Sequence, residues 1–313
     1  VIRANFAAEV VWRHRESIRH SSQDAIITRL LNLICEAARP KGNEGPLLGV
    51  AVGVPGLVDE SNGTLLFAPN LGWRDVPMRA IVQEVCTAPV FVDNEANMAA
   101  LGEYYFGSAQ GCDDVLYISV EVGLGGAIVR NGVLFKGRTG FAGEFGHMTL
   151  KPDGELCNCG NRGCWETLVS QSAVFRSIRR AIESGRSSIL TEMLNGDLDR
   201  LTIPHVVEAA RQGDPVTLDV LNQVGHYLGI GIASLVNALN PELVVFGGML
   251  SLAADFLLPA VEEEMKHRAL KWNAEAVRVV LARHGSDACV MGGVATVWQA
   301  ILSQPANMAP RMG

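Results

Sequence analysis

Three thiols fall within eight residues, Cys157, Cys159 and Cys164, inside the run GEFGHMTLKPDGELCNCGNRGCWE at 143–166. Neither a helix face nor a strand face presents side chains at that spacing. Asn158, Gly160, Asn161 and Gly163, which separate the thiols, are turn residues that let a backbone fold back on itself. The chain must therefore double over here and bring three sulfurs towards one point. His147, ten residues before Cys157, completes a Cys₃His set of soft and borderline ligands suited to a closed tetrahedral zinc site. A loop with incidental thiols, or a disulfide framework, accounts less well for the pairing of ligand types with turn residues. With four protein ligands the expected zinc is structural.

The other cysteines, Cys35, Cys86, Cys112 and Cys289, stand singly in apolar contexts and read as small buried hydrophobes. A thiolate metal site beside unpaired cysteines predicts a reducing compartment, hence the cytoplasm. Hydrophobic residues make up 48% of the 313 and charged residues 19%, which indicates one large or two medium globular domains rather than disorder. The net charge of −7 argues against an extensive nucleic-acid surface on this part of the molecule. The basic runs Arg13-His14-Arg15 and 176–180 read as solvated faces. The most apolar stretch, 226–250, is interrupted by Asn237, Asn240 and Pro241, so it reads as a buried helix and strand, not a membrane span. No signal peptide is visible. The opening VIRANFAAEVV reads as the late part of a strand hairpin, and an N-terminal portion is expected ahead of Val1.

Helical apolar spacing covers 23–38, with Ile26, Ile27, Leu30, Leu31 and Ile34 on one stripe. Apolar strands ending in glycine turns are expected at 47–56 and 243–250, and further strands at 89–92 and 277–281. The segment 115–129 reads as two strands joined by a glycine-rich turn. Helices are expected at 95–107, 166–185, 203–211, 214–240 and 291–302, followed by a frayed tail. Alternating strands and helices give an α/β fold with ligands at the strand-end turns. Two related glycine turns, Gly123-Leu124-Gly125-Gly126 and Phe246-Gly247-Gly248, suggest duplicated halves around a cleft. Each alone is weak evidence of phosphate contact.

The motifs GVPGLVDESNG, APNLGW, VDNEANMAALGE, GEFGHM and CNCGNRGCWE occur in that order, and with them the chain resembles the ROK family of sugar kinases and sugar-responsive repressors. The resemblance runs from about Gly49 to the end. It implies a two-domain actin- and hexokinase-like (ribonuclease H-like) fold with a cleft, assembled as a dimer or tetramer. The implied domains are 1–97 with 290–313, and 98–289 carrying the zinc loop and the dimerisation surface. It also implies His147, Cys157, Cys159 and Cys164 as zinc ligands. Gly56, Asn70 and Asn94 would line the sugar pocket. The metal would fix Glu144, His147 and Glu166 as a face that reads sugar hydroxyls, because carboxylates accept strong paired hydrogen bonds and a metal-bound His has a fixed tautomer.

Kinases of the family carry an aspartate where this chain has Glu95, and a Gly-Thr-Gly type turn where it has Glu121-Val122-Gly123. The extra methylene of Glu95 displaces the base. Asp93 is a poor replacement, since on a strand its side chain would face the other way. Glu121 places negative charge where ATP phosphates would lie. Gly123, Gly125, Gly247 and Gly248 then form a degenerate nucleotide site. The preferred expectation is the effector-binding and dimerisation region of a sugar-sensing transcription regulator, without enzymatic activity, meeting DNA only through an N-terminal winged helix-turn-helix outside this chain. The alternative is an ATP- and Mg²⁺-dependent hexose kinase with Glu95 as base. A relic without a small ligand is the third.

Overall fold

The chain opens with two short antiparallel strands, β1 (Ile2–Ala4) and β2 (Val10–Arg13), as the hairpin expectation requires. The computed structural model describes residues 1–18, 21–39 and 45–303. Helix α1 (Gln23–Ala38) begins at Ser22, whose side chain accepts from the Ala25 N–H. Strand β3 (Val50–Val54) is followed by an antiparallel meander of β4 (Leu57–Asp59), β5 (Thr64–Ala68) and β6 (Trp73–Val76), then by α2 (Met78–Gln83). Strand β7 (Val90–Asn94) returns parallel to β3 and runs directly into α3 (Glu95–Phe106). Val52, Val54, Val58, Leu65, Trp73, Met78, Val82 and Val92 close a first core under these elements.

A five-stranded sheet organises the rest. Its members are β8 (Asp114–Val120), β9 (Leu124–Arg130), β10 (Val133–Leu134), β11 (Leu243–Gly247) and β12 (Arg278–Leu281), in the order β10-β9-β8-β11-β12. The chain between β10 and β11 supplies α4 (Glu166–Val169), α5 (Gln171–Glu183), α6 (Leu190–Met193), α7 (Ile203–Arg211) and α8 (Pro215–Leu239). Helices α9 (Ala254–Arg268) and α10 (Lys271–Ala276) precede β12, and α11 (Ala288–Ser303) ends the described chain. Strand β8 is buried on both faces. Leu116, Ile118 and Val120 join the core under the α5–α9 helices, while Val115 and Tyr117 face Ala99, Ala100 and Ala288 of α3 and α11.

Helix α8 is bounded as its sequence dictates. Asp214 caps it by accepting from the Thr217 N–H, Pro215 occupies the first turn, and Asn240 ends it with a left-handed φ of 47°. The helix expected at 166–185 is instead two, because Ser170 stops α4 and caps α5 through the Ala173 N–H. The tail beyond Ser303 lies outside the described residues. Among those described, no helix is long and apolar enough to cross a membrane.

Candidate ligand and metal site

The cysteine loop hangs from Trp165. This side chain is fully buried, packs against Gly231 of α8, and donates its indole N–H to the Tyr227 carbonyl at 2.9 Å. Within the loop, the Cys157 N–H donates to the Asn161 carbonyl at 2.8 Å and the Gly163 N–H to the Glu155 carbonyl at 2.9 Å. Gly163 has φ +65°, and a Cβ there would overlap the Lys151 carbonyl, so only glycine closes this turn.

The fold brings His147, Cys157, Cys159 and Cys164 together, with one ligand atom from each lying within 4.8 Å of the others. Cys157 Sγ is 3.7 Å from His147 Nδ1, and Cys159 Sγ is 3.7 Å from Cys164 Sγ. Ligands about 2.3 Å from a central zinc in a tetrahedron stand about 3.8 Å apart, so the donor set and its spacing both fit that ion. His147 turns Nδ1 to the thiols and Nε2 towards Glu144, whose Oε2 lies 3.9 Å away. Glu166 Oε1 is 3.7 Å from Nδ1 and 2.9 Å from Cys157 Sγ. The two carboxylates thus flank the ring. Burial pushes the Glu144 carboxyl above its usual range, the neighbouring His147 opposing and Glu166 adding to the effect.

A small polar pocket opens beside Glu144, walled by Gly56, Asp93, Asn94, Asn97, Gly126, Gly140 and Phe141 among others. Gly56 has φ +96°, and a Cβ there would collide with the Phe67 carbonyl. Asn94 is largely committed to the backbone. Its Oδ1 caps α3 by accepting from the Ala96 N–H at 2.7 Å, and its Nδ2 donates to the Gly56 carbonyl at 2.8 Å. One amide N–H remains for a ligand. Asn70 is exposed at the other side of Glu166, where its Oδ1 accepts from Asn158 of the cysteine loop at 3.1 Å. Gly123 sits between them, since a Cβ there would stand 2.7 Å from Glu166 Oε2 and 3.2 Å from Asn70 Nδ2.

Asp93 departs from expectation. It lines the same pocket as Asn94, because the strand alternation ends where Asn94 becomes the cap of α3. Its Oδ1 accepts from the Asn94 N–H at 2.7 Å and from Asn97 Nδ2 at 2.9 Å, and its Oδ2 meets Lys136 Nζ at 2.6 Å. Glu95, one residue on, is not among the residues lining that pocket. Its surface is open to solvent, yet protein crowds it closely enough to raise its carboxyl. Burial, reinforced by the Glu95 charge, pushes Glu121 up to about 7.

Of the glycines expected at a nucleotide site, Gly125 and Gly247 lie on the strands either side of β8, both opposite Ser119. Gly125 lies against Ala96, Gly247 against the Tyr117 hydroxyl, and Gly248 (φ +82°) against the Val120 backbone. Between the two turns the Glu121 carboxylate accepts from the Met249 N–H at 3.1 Å. A cavity of about 640 Å³ lies elsewhere: it is mostly apolar and sits between β1, β3, α1 and α11. Sequence reasoning passes over Lys136 and Asn97, and reads Asn158 only as a turn residue. Trp165 carried a visible signal, its position between Cys164 and Glu166.

Among proteins of known sequence, a putative xylose repressor from Caldicellulosiruptor sp. (strain Rt8B.4) is 37% identical over 309 residues, covering 97% of this chain and 76% of that one. A ROK family glucokinase from Streptomyces griseus, solved with glucose and AMPPNP, superposes with a TM-score of 0.84 at 32% identity, covering 95% of this chain and 94% of that one. A ROK family transcriptional regulator, a homologue of the E. coli MLC protein, gives a TM-score of 0.82 at 32% identity, covering 95% of this chain and 74% of that one. The mixed α/β architecture is therefore the two-domain actin- and hexokinase-like fold. The chain belongs to the ROK family, whose model matches residues 4–300.

Proposed function

We propose that this chain is the effector-binding and dimerisation region of a sugar-responsive transcription regulator, divided into 1–97 with 290–313 and 98–289. The observation that carries this reading is the contact between Glu121 and the Met249 N–H. A carboxyl there competes for a backbone donor at the second glycine turn, and above about pH 7, where it is ionised, its charge opposes a nucleotide phosphate. The other end of the cleft keeps polar groups suited to sugar hydroxyls: Glu144, His147, Glu166, Asn70, the free amide N–H of Asn94 and the turn at Gly56. Ligand recognition without phosphoryl transfer is what a sensor requires. Zinc held by His147, Cys157, Cys159 and Cys164 acts structurally, fixing the ring and the flanking carboxylates.

In this reading the sugar shifts the closure of the two domains, and a dimer converts that shift into a changed spacing of DNA-binding heads. DNA contact belongs to a helix-turn-helix of the full-length protein rather than to these residues, whose net charge is −7. A thiolate metal site suits a reducing compartment, which supports a cytoplasmic location. Calorimetry of the zinc-loaded protein with xylose, glucose and N-acetylglucosamine tests the sensor function. Binding of one sugar without ADP release in a coupled assay with ATP and Mg²⁺ is expected. Turnover abolished by Glu95→Gln would establish the second reading, an ATP-dependent hexose kinase, which the likeness to glucokinase favours.

A further inference from the structure

The loop that follows β10 contributes Gly140, Phe141, Ala142 and Glu144 to the wall of the polar pocket. The opposite wall, with Gly56, Asp93, Asn94 and Asn97, belongs to the first part of the chain. One side chain ties the walls together. Lys136 Nζ lies 2.6 Å from Asp93 Oδ2 and 2.6 Å from Glu60 Oε2, and the Lys136 carbonyl accepts the Ala142 N–H at 3.1 Å, closing the loop on itself. The two arms differ. The Asp93 side chain is 11% exposed and that of Glu60 is 59% exposed, so the first arm is a shielded ion pair and the second a solvated one.

Asp93 also receives the Asn94 and Asn97 donors, which places Lys136 at the back of the pocket's hydrogen-bonded floor. Without the ammonium, a buried carboxylate loses its counter-charge and the loop loses its anchor. We infer that Lys136 is a positioning residue for the ligand: its ion pairs with Asp93 and Glu60 pin the 136–144 loop across the cleft and so hold Glu144 opposite Asn94. This rests on the reading of the pocket as a sugar site. Pinning the loop in advance spares the ligand the entropy of ordering it. Ligand affinity should therefore follow the strength of the latch.

The test compares wild type, Lys136→Met and Lys136→Arg, all zinc-loaded, by hydrogen exchange without sugar and by calorimetry with xylose and glucose. In Lys136→Met, amides at 137–143 should exchange at least about tenfold faster while those of α8 are unchanged. Its sugar affinity should fall at least about tenfold, with Lys136→Arg restoring most of both. Unchanged exchange at 137–143 in Lys136→Met overturns the latch whether or not a sugar binds. So does an unchanged affinity. Faster exchange in a protein whose wild type binds neither sugar overturns the sugar reading and leaves the latch in place.

Discussion

Gly231 leaves the space that the Trp165 indole fills: a Cβ at Gly231 would stand 2.2 Å from two ring carbons. Because Trp165 lies between Cys164 and Glu166, this one helix–indole contact seats both a metal ligand and a carboxylate of the ligand site. Overpacking a buried ring costs about 1–3 kcal/mol, since neither α8 nor the fully buried indole has room to yield. Gly231→Ala should lower the unfolding free energy by that amount and loosen zinc retention. Gly213→Ala, where a Cβ would meet nothing within 4 Å, tests crowding separately; its φ of +81° adds backbone strain but no clash. Denaturant melts together with metal analysis would separate the two. Equal zinc retention in both variants would show that Trp165 does not seat the loop.

Glu103 is fully buried and holds four donors: the Ser108 N–H and hydroxyl and the Arg283 N–H on Oε2, and the His284 N–H on Oε1. It fastens the end of α3 to the turn after β12, and α3 is the helix that Asn94 caps. Glu103→Ala removes the one acceptor shared by four part-buried donors, and each donor left cut off from water costs about 1–3 kcal/mol. A loss of at least about 3 kcal/mol is expected, read by urea unfolding. A loss below 1 kcal/mol would mean that water replaces the carboxylate without penalty.

The pH dependence of stability should report Glu121. In the folded chain this carboxyl is pushed from 4.5 up to about 7, chiefly by burial and then by the Glu95 charge. Between those values the folded state holds a proton that the unfolded chain has released, so stability falls as pH rises through the window. The shift corresponds to about 3 kcal/mol, fully expressed only well above pH 7. Glu121→Gln keeps an acceptor for the Met249 N–H but carries no charge. It should match wild type below about pH 4 and exceed it by about 3 kcal/mol at pH 8 in denaturant titrations. Parallel pH profiles for the two proteins would show that Glu121 ionises freely in the cleft.

Much of this architecture is written in local patterns, and the exceptions have identifiable causes. Asp214-Pro215 and Asn240 mark the ends of α8, and the near-continuous apolar run of β8 marks a strand buried on both faces. The convergence of His147 with three thiols follows from turn residues placed between ligands. The meander β4–β6 escaped notice because strands of three to five residues are too short to display a period. Helix α9 was hidden by Pro259, a residue that usually breaks helices but here lies inside one. Asn94 offers the same side chain whether it meets a sugar or caps a helix, and only the fold commits its Oδ1 to the Ala96 N–H. Lys136 pairs with residues 43 and 76 positions earlier in the chain, a relation with no local signature.

Cys159 offers the sharpest test of the metal loop, because it is the exposed member of the four and contributes little to the core. If zinc organises the loop, replacing one ligand removes the metal and releases the constraint on His147, Glu144 and Glu166 together. Cys159→Ser should then lose zinc by elemental analysis and sugar binding by calorimetry, and its loop should open to proteolysis. Chelation of wild type should reproduce all three effects, and added zinc should reverse them. A Cys159→Ser protein that has lost its metal but binds sugar with wild-type affinity would show that the Trp165 anchor alone holds the carboxylates in place.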